Sequence, residues 1–264
     1  MGTERLAGKV ILVTGASEGI GAACAHAFRR RGARLSLIAR SQEKLQSVAS
    51  GDDLITAGDL REPAVRHEVV SRTIRHFGRI DVLVNNAGVA LYSPAWQAAQ
   101  DQVRDMFELN VMAPLDLVQQ VVPHMRAQGG GAIVNIGSIA GKVTLPWVTL
   151  YSATKYAIGS LTDGLRMELR SYGIHTMTVC PGYVKTRFQE NALAGTPPKL
   201  AGLRQRWAIT PERCAEDIAR GLERSARTVV TPRTGWIMVA LARIAPALVD
   251  WQLERTYREQ GLNR

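Results

Sequence analysis

The chain has 264 residues, 46% of them hydrophobic, with 24 glycines, 11 prolines and few aromatics; that is enough apolar material for a full core, and it suits an α/β fold better than an all-β one. Its three cysteines, Cys24, Cys180 and Cys214, lie far apart and outside any C-x-x-C, which argues against a disulfide framework or a metal site and for a reducing compartment. The net charge is +10, and residues 185–264 carry 14 Lys/Arg against 8 Asp/Glu, but no basic cluster is interleaved with stacking aromatics; nucleic acid is therefore not the expected partner, and a phosphorylated cofactor or an anionic membrane surface suits the charge better.

From the beginning, "MGTERLAGKVILVTG" has only a short apolar run, and Leu6 stands where a myristoylation signal wants Ser or Thr. No signal peptide or lipid anchor is expected from it, and a cytoplasmic protein is. Short β-branched runs predict strands at 10–14 (VILVT), 34–39, 53–59 (DLITAGD), 80–85, 132–137, 174–180 and 227–231. Several are almost wholly apolar, as parallel strands covered on both faces should be. Between them lie helical patterns. In the first, Ile20, Cys24, Ala27 and Phe28 follow helical spacing; another runs from about 103 to 128, with a local kink expected where Pro114 follows Asn110 by four residues, and stops at Gly129-Gly130-Gly131; Thr210 before Pro211 reads as an N-cap and a helix-starting proline. Repeated β-α units predict a doubly wound, Rossmann-type parallel sheet of about seven strands with helices on both faces, in one domain over 1–264.

Four stretches carry chemistry on their own residues. "VTGASEGIGAACAHAF" follows the first strand and opens the first helix, so Gly15, Gly19 and Gly21 allow a tight turn and close approach to a pyrophosphate at the helix N-terminus. "VNNAG" (84–88) ends the fourth strand, at the edge where ligands sit, and Asp59 in "GDL" could accept from an adenine amino group. In "LYSATK" (150–155), Tyr151 and Lys155 stand one helical turn apart, a phenol beside a cation that favours its ionised form.

Taken together, TGASEGIG, NNAG, "NIGS", YSATK and "PGYVKT", in that order over residues 8 to about 231, resemble the short-chain dehydrogenase/reductase family, and the thirteen-residue step from Ser138 to Tyr151 fits its spacing. The resemblance implies an oxidoreductase acting on CH-OH/C=O with NAD(P). It gives Tyr151 the role of general acid in reduction and general base in oxidation. Ser138 would hydrogen-bond the substrate oxygen, Lys155 would bind the nicotinamide ribose and lower the Tyr151 pKa, and Asn110 would hold a water leading from Lys155 to solvent. Gly15, Ser17, Glu18, Gly19, Ile20, Gly21, Arg40, Asp59, Leu60, Asn86, Ala87 and Gly88 would hold the cofactor, joined by Tyr151, Lys155 and, over the nicotinamide, Pro181, Gly182, Val184 and Thr186. No metal is implied. Homo-dimers or homo-tetramers are.

Ala39 stands where NAD-using relatives carry an acid, and Arg40 follows it, able to bind a 2′-phosphate; Glu18 opposes, at a turn position where many NADP-using relatives have Arg or Lys. NADP(H) is favoured and NAD(H) remains the alternative, with Glu18 read as an exposed turn residue free to rotate into water. Substrate choice is expected in the variable segments, including the loop 187–210, where Tyr92, Trp96, Trp147, Phe188 and Trp207 suggest an apolar pocket. Residues 235–260 are apolar but interrupted by Arg243, Pro246 and Asp250, which argues against a spanning helix. A pocket lid or a subunit interface is one reading of them. The other is an interfacial membrane anchor flanked by Trp236, Trp251 and arginines, and this tail resembles that of 3-ketodihydrosphingosine reductase-like and other membrane-associated members. The sequence thus predicts an NADPH-dependent reductase of a hydrophobic ketone. The alternatives are a dehydrogenase of a secondary alcohol, steroid-like or acyl, and a non-catalytic nucleotide-binding scaffold, against which the intact Asn110–Ser138–Tyr151–Lys155 set speaks.

Overall fold

Strand β1 (Val10–Thr14) is fully buried, and its side chains alternate between two helical layers, which is why every residue of it is apolar up to Thr14. The computed structural model describes residues 4–195 and 208–259. Around β1 the described residues build one parallel sheet with β2 (Arg34–Ala39), β3 (Leu54–Ala57), β4 (Val82–Asn85), β5 (Gly131–Ile136), β6 (Ile174–Pro181) and β7 (Thr228–Thr231), in the order β3-β2-β1-β4-β5-β6-β7. The third strand is shorter than its apolar run suggested, because Gly58 and Asp59 already turn away at the sheet edge.

Ile11, Val13, Val82, Val84 and Val134 face one layer, formed by α1 (Gly19–Arg29), α2 (Gln42–Val48) and α7 (Pro211–Glu223). Leu12, Leu83 and Ile133 face the other, formed by α3 (Pro63–Phe77), α5 (Ala113–Ala127) and α6 (Thr149–Leu169). Thr210 caps α7 by accepting from the Arg213 N–H, as its place before Pro211 predicted. The helix expected over 103–128 is broken instead into α4 (Gln100–Phe107), a π-turn (Glu108–Met112) and α5. Pro114 lacks the N–H that would bond the Asn110 carbonyl in an unbroken α-helix, and the ladder widens where that bond is missing.

The apolar tail forms α8 (Gly235–Ile244) and α9 (Pro246–Glu259), bent by 115° at the break between them. Among the described residues no single helix is long and apolar enough to cross a membrane.

Because strand order reverses between β1 and β4, a crevice opens at their carboxyl ends. The opposite ends are pinned by Asp81, whose buried carboxylate accepts from the Val10 N–H at 2.9 Å, from Lys9 at 3.2 Å and from Arg79 at 2.6 and 2.9 Å. Burial pushes its pKa up, but these donors together hold it below the usual carboxylate range. Asp81→Ala should therefore cost about 1.5–3 kcal/mol in urea unfolding at neutral pH. The contribution should be fully present above about pH 4 and disappear as pH falls through the depressed folded-state value.

Candidate active site

The crevice begins with a hydroxyl. Thr14 Oγ donates to the Val84 carbonyl at 3.2 Å and accepts from the N–H groups of Asn86 and Ala87 at 2.9 and 3.0 Å. The Asn86 amide then donates to the carbonyls of Thr14 and Gly15, at 2.8 and 3.1 Å. The glycine-rich turn is thereby fastened to the end of β4. At Gly15, φ is +63° and a Cβ would lie 2.9 Å from the Ala87 Cα, so no other residue fits. Gly19 has φ +57° and lies under the Thr186 side chain, which brings the PGYVKT loop onto the turn.

A cavity of about 1060 Å³ runs from this turn past Tyr151 to the apolar tail, at the upper end of the range for ligand sites. Gly15, Ser17, Glu18, Gly19, Ile20, Arg40, Asp59, Leu60, Asn86, Ala87, Gly88, Ser138, Tyr151, Lys155, Pro181, Gly182, Val184 and Thr186 line it. Gly21 and Asn110 do not. Gly21 is buried behind the turn, where a Cβ would lie 2.1 Å from the Gly15 carbonyl oxygen, so it permits the turn and does not touch what the turn holds. The Asn110 side chain is spent on structure: it accepts from the Val89 N–H and donates to the Val89 carbonyl, both at 2.9 Å, and donates to Thr154 Oγ at 3.1 Å. It ties the loop that follows β4 to α6; a water would have to use its main-chain carbonyl.

Lys155 is buried, and its ammonium donates to the Ile136 carbonyl at 2.9 Å and lies 5.5 Å from the centre of the Tyr151 ring. Burial pushes its pKa down to about 8. For Tyr151 the expectation of a lowered pKa needs correction. Desolvation raises it, and the hydrogen bond with Ser138 only partly offsets that. Ser138 Oγ accepts from the Ala140 N–H at 3.0 Å, which leaves its own proton for the phenol or a neighbouring oxygen.

At the adenosine end, Arg40 is exposed and lines the cavity. Asp59 is not a free acceptor: Arg61 grips its carboxylate at 2.7–3.2 Å, and that hydrogen bonding outweighs burial and lowers its pKa. Nor is Glu18 free to rotate into water. Its carboxylate accepts from Lys44 at 3.1 Å and from the Asn191 amide. Lys44 also lines the cavity and was missed; its place four residues after Arg40, one turn beyond the N-cap Ser41, was the available signal.

The substrate end holds Tyr92 and Phe188, whose ring centre lies 5.9 Å from that of Tyr151. Trp96 is 83% exposed, and Trp147, at φ +65°, lies outside the lining, so neither serves as a wall. Trp207 falls outside the described residues. Ile237, Met238, Leu241 and Leu248 of α8 and α9 also line the cavity, so the tail is part of the site.

The donors and glycines present fit a nicotinamide dinucleotide: free backbone at a helix N-terminus, a turn too tight for a Cβ, and cationic side chains at the adenosine end. Among the described residues no group of three or more His, Cys, Asp or Glu could hold a metal ion.

Comparison with known proteins agrees. The family model described as short chain dehydrogenase matches residues 9–196. A zebrafish (Danio rerio) protein, dehydrogenase/reductase SDR family member 7B, is 33% identical over 91% of this chain and 82% of its own. The ketoacyl reductase HetN of Nostoc is 31% identical over 97% of this chain and 91% of its own. Among solved structures, a short-chain dehydrogenase/reductase from Burkholderia phymatum in complex with NAD superposes with a TM-score of 0.83 at 25% identity, covering 92% of this chain and 95% of that one.

A lysine with a lower pKa folded than unfolded binds fewer protons in the native state, so stability rises with pH between about 8 and 10 and the full penalty is felt at neutrality. Lys155→Met should raise the unfolding free energy at pH 7 by about 1–3 kcal/mol. The gain over the parent should shrink toward pH 10, as denaturant curves at the two pH values will show.

Proposed function

The chain belongs to the short-chain dehydrogenase/reductase family and is an oxidoreductase interconverting carbonyl and alcohol with a nicotinamide nucleotide, and we propose that it is an NADPH-dependent reductase of a hydrophobic ketone. The observation that carries the reading is the meeting of Ser138, Tyr151 and Lys155 in a cavity whose far end is walled by Phe188, Leu193 and the apolar tail helices. Bound NADPH supplies the hydride. Ser138 donates to the carbonyl oxygen and fixes its position, and Tyr151 gives that oxygen its proton. Lys155 steadies the phenolate left behind and holds the ribose hydroxyls. Asn110 positions α6 through Thr154, and its main-chain carbonyl takes the water-holding role.

Desolvation favours the neutral phenol over the phenolate, and the neutral phenol is the form a proton donor starts from. Preference for NADPH rests on Arg40, the exposed cation at the rim where a 2′-phosphate would lie, while Lys44 offsets the opposing charge of Glu18. A second reading, NAD(H), is favoured by Glu18 itself and by the bound NAD in the Burkholderia structure. Short-chain dehydrogenases generally work as oligomers, and a homo-dimer or homo-tetramer is proposed here.

Tyr151→Phe should keep NADPH affinity and lose roughly 10²–10⁴-fold in turnover, measured on a ketone panel of rising chain length. Near wild-type turnover would refute the assignment of the proton donor.

Charge-assisted hydrogen bonds to the 2′-phosphate correspond to a preference of about 10- to 100-fold for NADPH over NADH in kcat/KM. Ala39→Asp combined with Arg40→Ser should reverse it, and Lys44→Ala should weaken it. A wild-type preference for NADH would favour the second reading.

A further inference from the structure

We infer that the face formed by α8 and α9 docks on an anionic lipid bilayer, and that substrate dissolved in the bilayer enters the active-site cavity through that face. Trp236, Ile237, Met238, Leu241, Ile244, Leu248 and Trp251 are 43–83% exposed, while Val239 is the one buried residue of α8. Large apolar side chains gathered in this way on a protein surface mark an interaction site. The 115° bend divides the segment into two short helices, neither long and apolar enough to cross a bilayer by itself, and short apolar helices of this kind can lie along an interface.

Two further observations select the occupant. Ile237, Met238, Leu241 and Leu248 are exposed and also line the cavity, so the cavity opens within the apolar face. A rigid protein partner seated there would close that opening, whereas a fluid bilayer covers the apolar side chains and leaves a path for a dissolved molecule. The rim is suited to the headgroup zone. Trp236 and Trp251 are exposed outside the cavity lining, and Arg233, Arg243 and Arg255 are exposed on the same stretch of chain; Asp250 and Glu254 subtract from this charge, but the chain as a whole carries +10.

The docking itself does not depend on the reductase reading, which enters only in naming a hydrophobic ketone as the molecule that passes. The test is flotation of the full chain, without cofactor or ketone, with phosphatidylcholine vesicles and with vesicles containing about 30% phosphatidylserine. The protein should float with the second and only weakly with the first, and about 0.5 M salt should release most of it. The triple variant Trp236→Ser, Ile244→Ser, Trp251→Ser changes side chains outside the cavity lining, so it should lose at least tenfold in vesicle binding with NADPH affinity unchanged. Should that variant fail to fold, Arg233→Gln with Arg243→Gln should weaken binding to the anionic vesicles alone. Wild-type protein that floats with neither vesicle, because a second copy or another part of this chain covers the face, would overturn the proposal. So would a folded triple variant that floats as well as wild type. Flotation without reduction of any ketone would keep the docking face and overturn the ketone reading, whereas ketone reduction without flotation would do the opposite.

Discussion

Everything the cavity can do depends on a hydroxyl at the junction of β1 and β4. Parallel strands that diverge after a reversal of order have no ladder bonds beyond their ends, so their last peptide groups need other partners. Thr14 Oγ supplies them for β4 through one donated and two accepted hydrogen bonds, and Asn86 returns two donors to the turn after β1. The width of the crevice is therefore set by side-chain geometry and not by loop preference. Gly15 and Gly21 are needed because that clasp draws the turn so close that a Cβ at either would meet backbone.

Against this rigid frame stands a component that opposes stability. An ammonium buried with a main-chain carbonyl as its recorded partner is an expensive group, and Lys155 shows it in a depressed pKa. The surroundings hold it in place without neutralising it: Asn110 and Thr154 lock the adjacent turn of α6, and Gly88 leaves space beside the ammonium. In the mechanism proposed above, this ammonium is the group that serves the ribose and the phenolate. Desolvation acts on the tyrosine in the opposite sense, favouring its neutral, protonated form over the phenolate.

The fold was legible because hydrophobic runs and glycine punctuation are local signals, and β1, β2 and the start of α7 lie where those signals put them. Motif order likewise brought Ser138, Tyr151 and Lys155 to one cavity. What escaped reading was decided by partners distant in sequence. Glu18 looks like a free acid until Lys44 and Asn191 reach it across 26 and 173 residues. The Asn110 amide could not be known to be fully occupied before Val89 and Thr154 were placed beside it. Two departures had local causes that were present and underweighted. Arg61 stands two residues from Asp59 and claims its carboxylate, and Pro114, where a local kink was expected, removes the donor to the Asn110 carbonyl and goes further, breaking the helix into two with a π-turn between them.

The tail shows why lid and anchor were hard to separate as alternatives. Composition alone offers an apolar segment of helical length with arginines and tryptophans, which serves equally well over a pocket, between subunits or on a lipid surface. In the folded chain the same side chains face both ways: Leu241 and Leu248 line the cavity while 49% and 59% of their surfaces remain exposed. A lid that closed an apolar pocket against water would be expected to bury its outer face on something, because its inner face cannot satisfy all of its apolar surface. The two functions are thus physically linked. An apolar substrate makes an apolar lid useful, and an apolar lid without a cover on its outer side needs a medium in which its exposed side chains cost little.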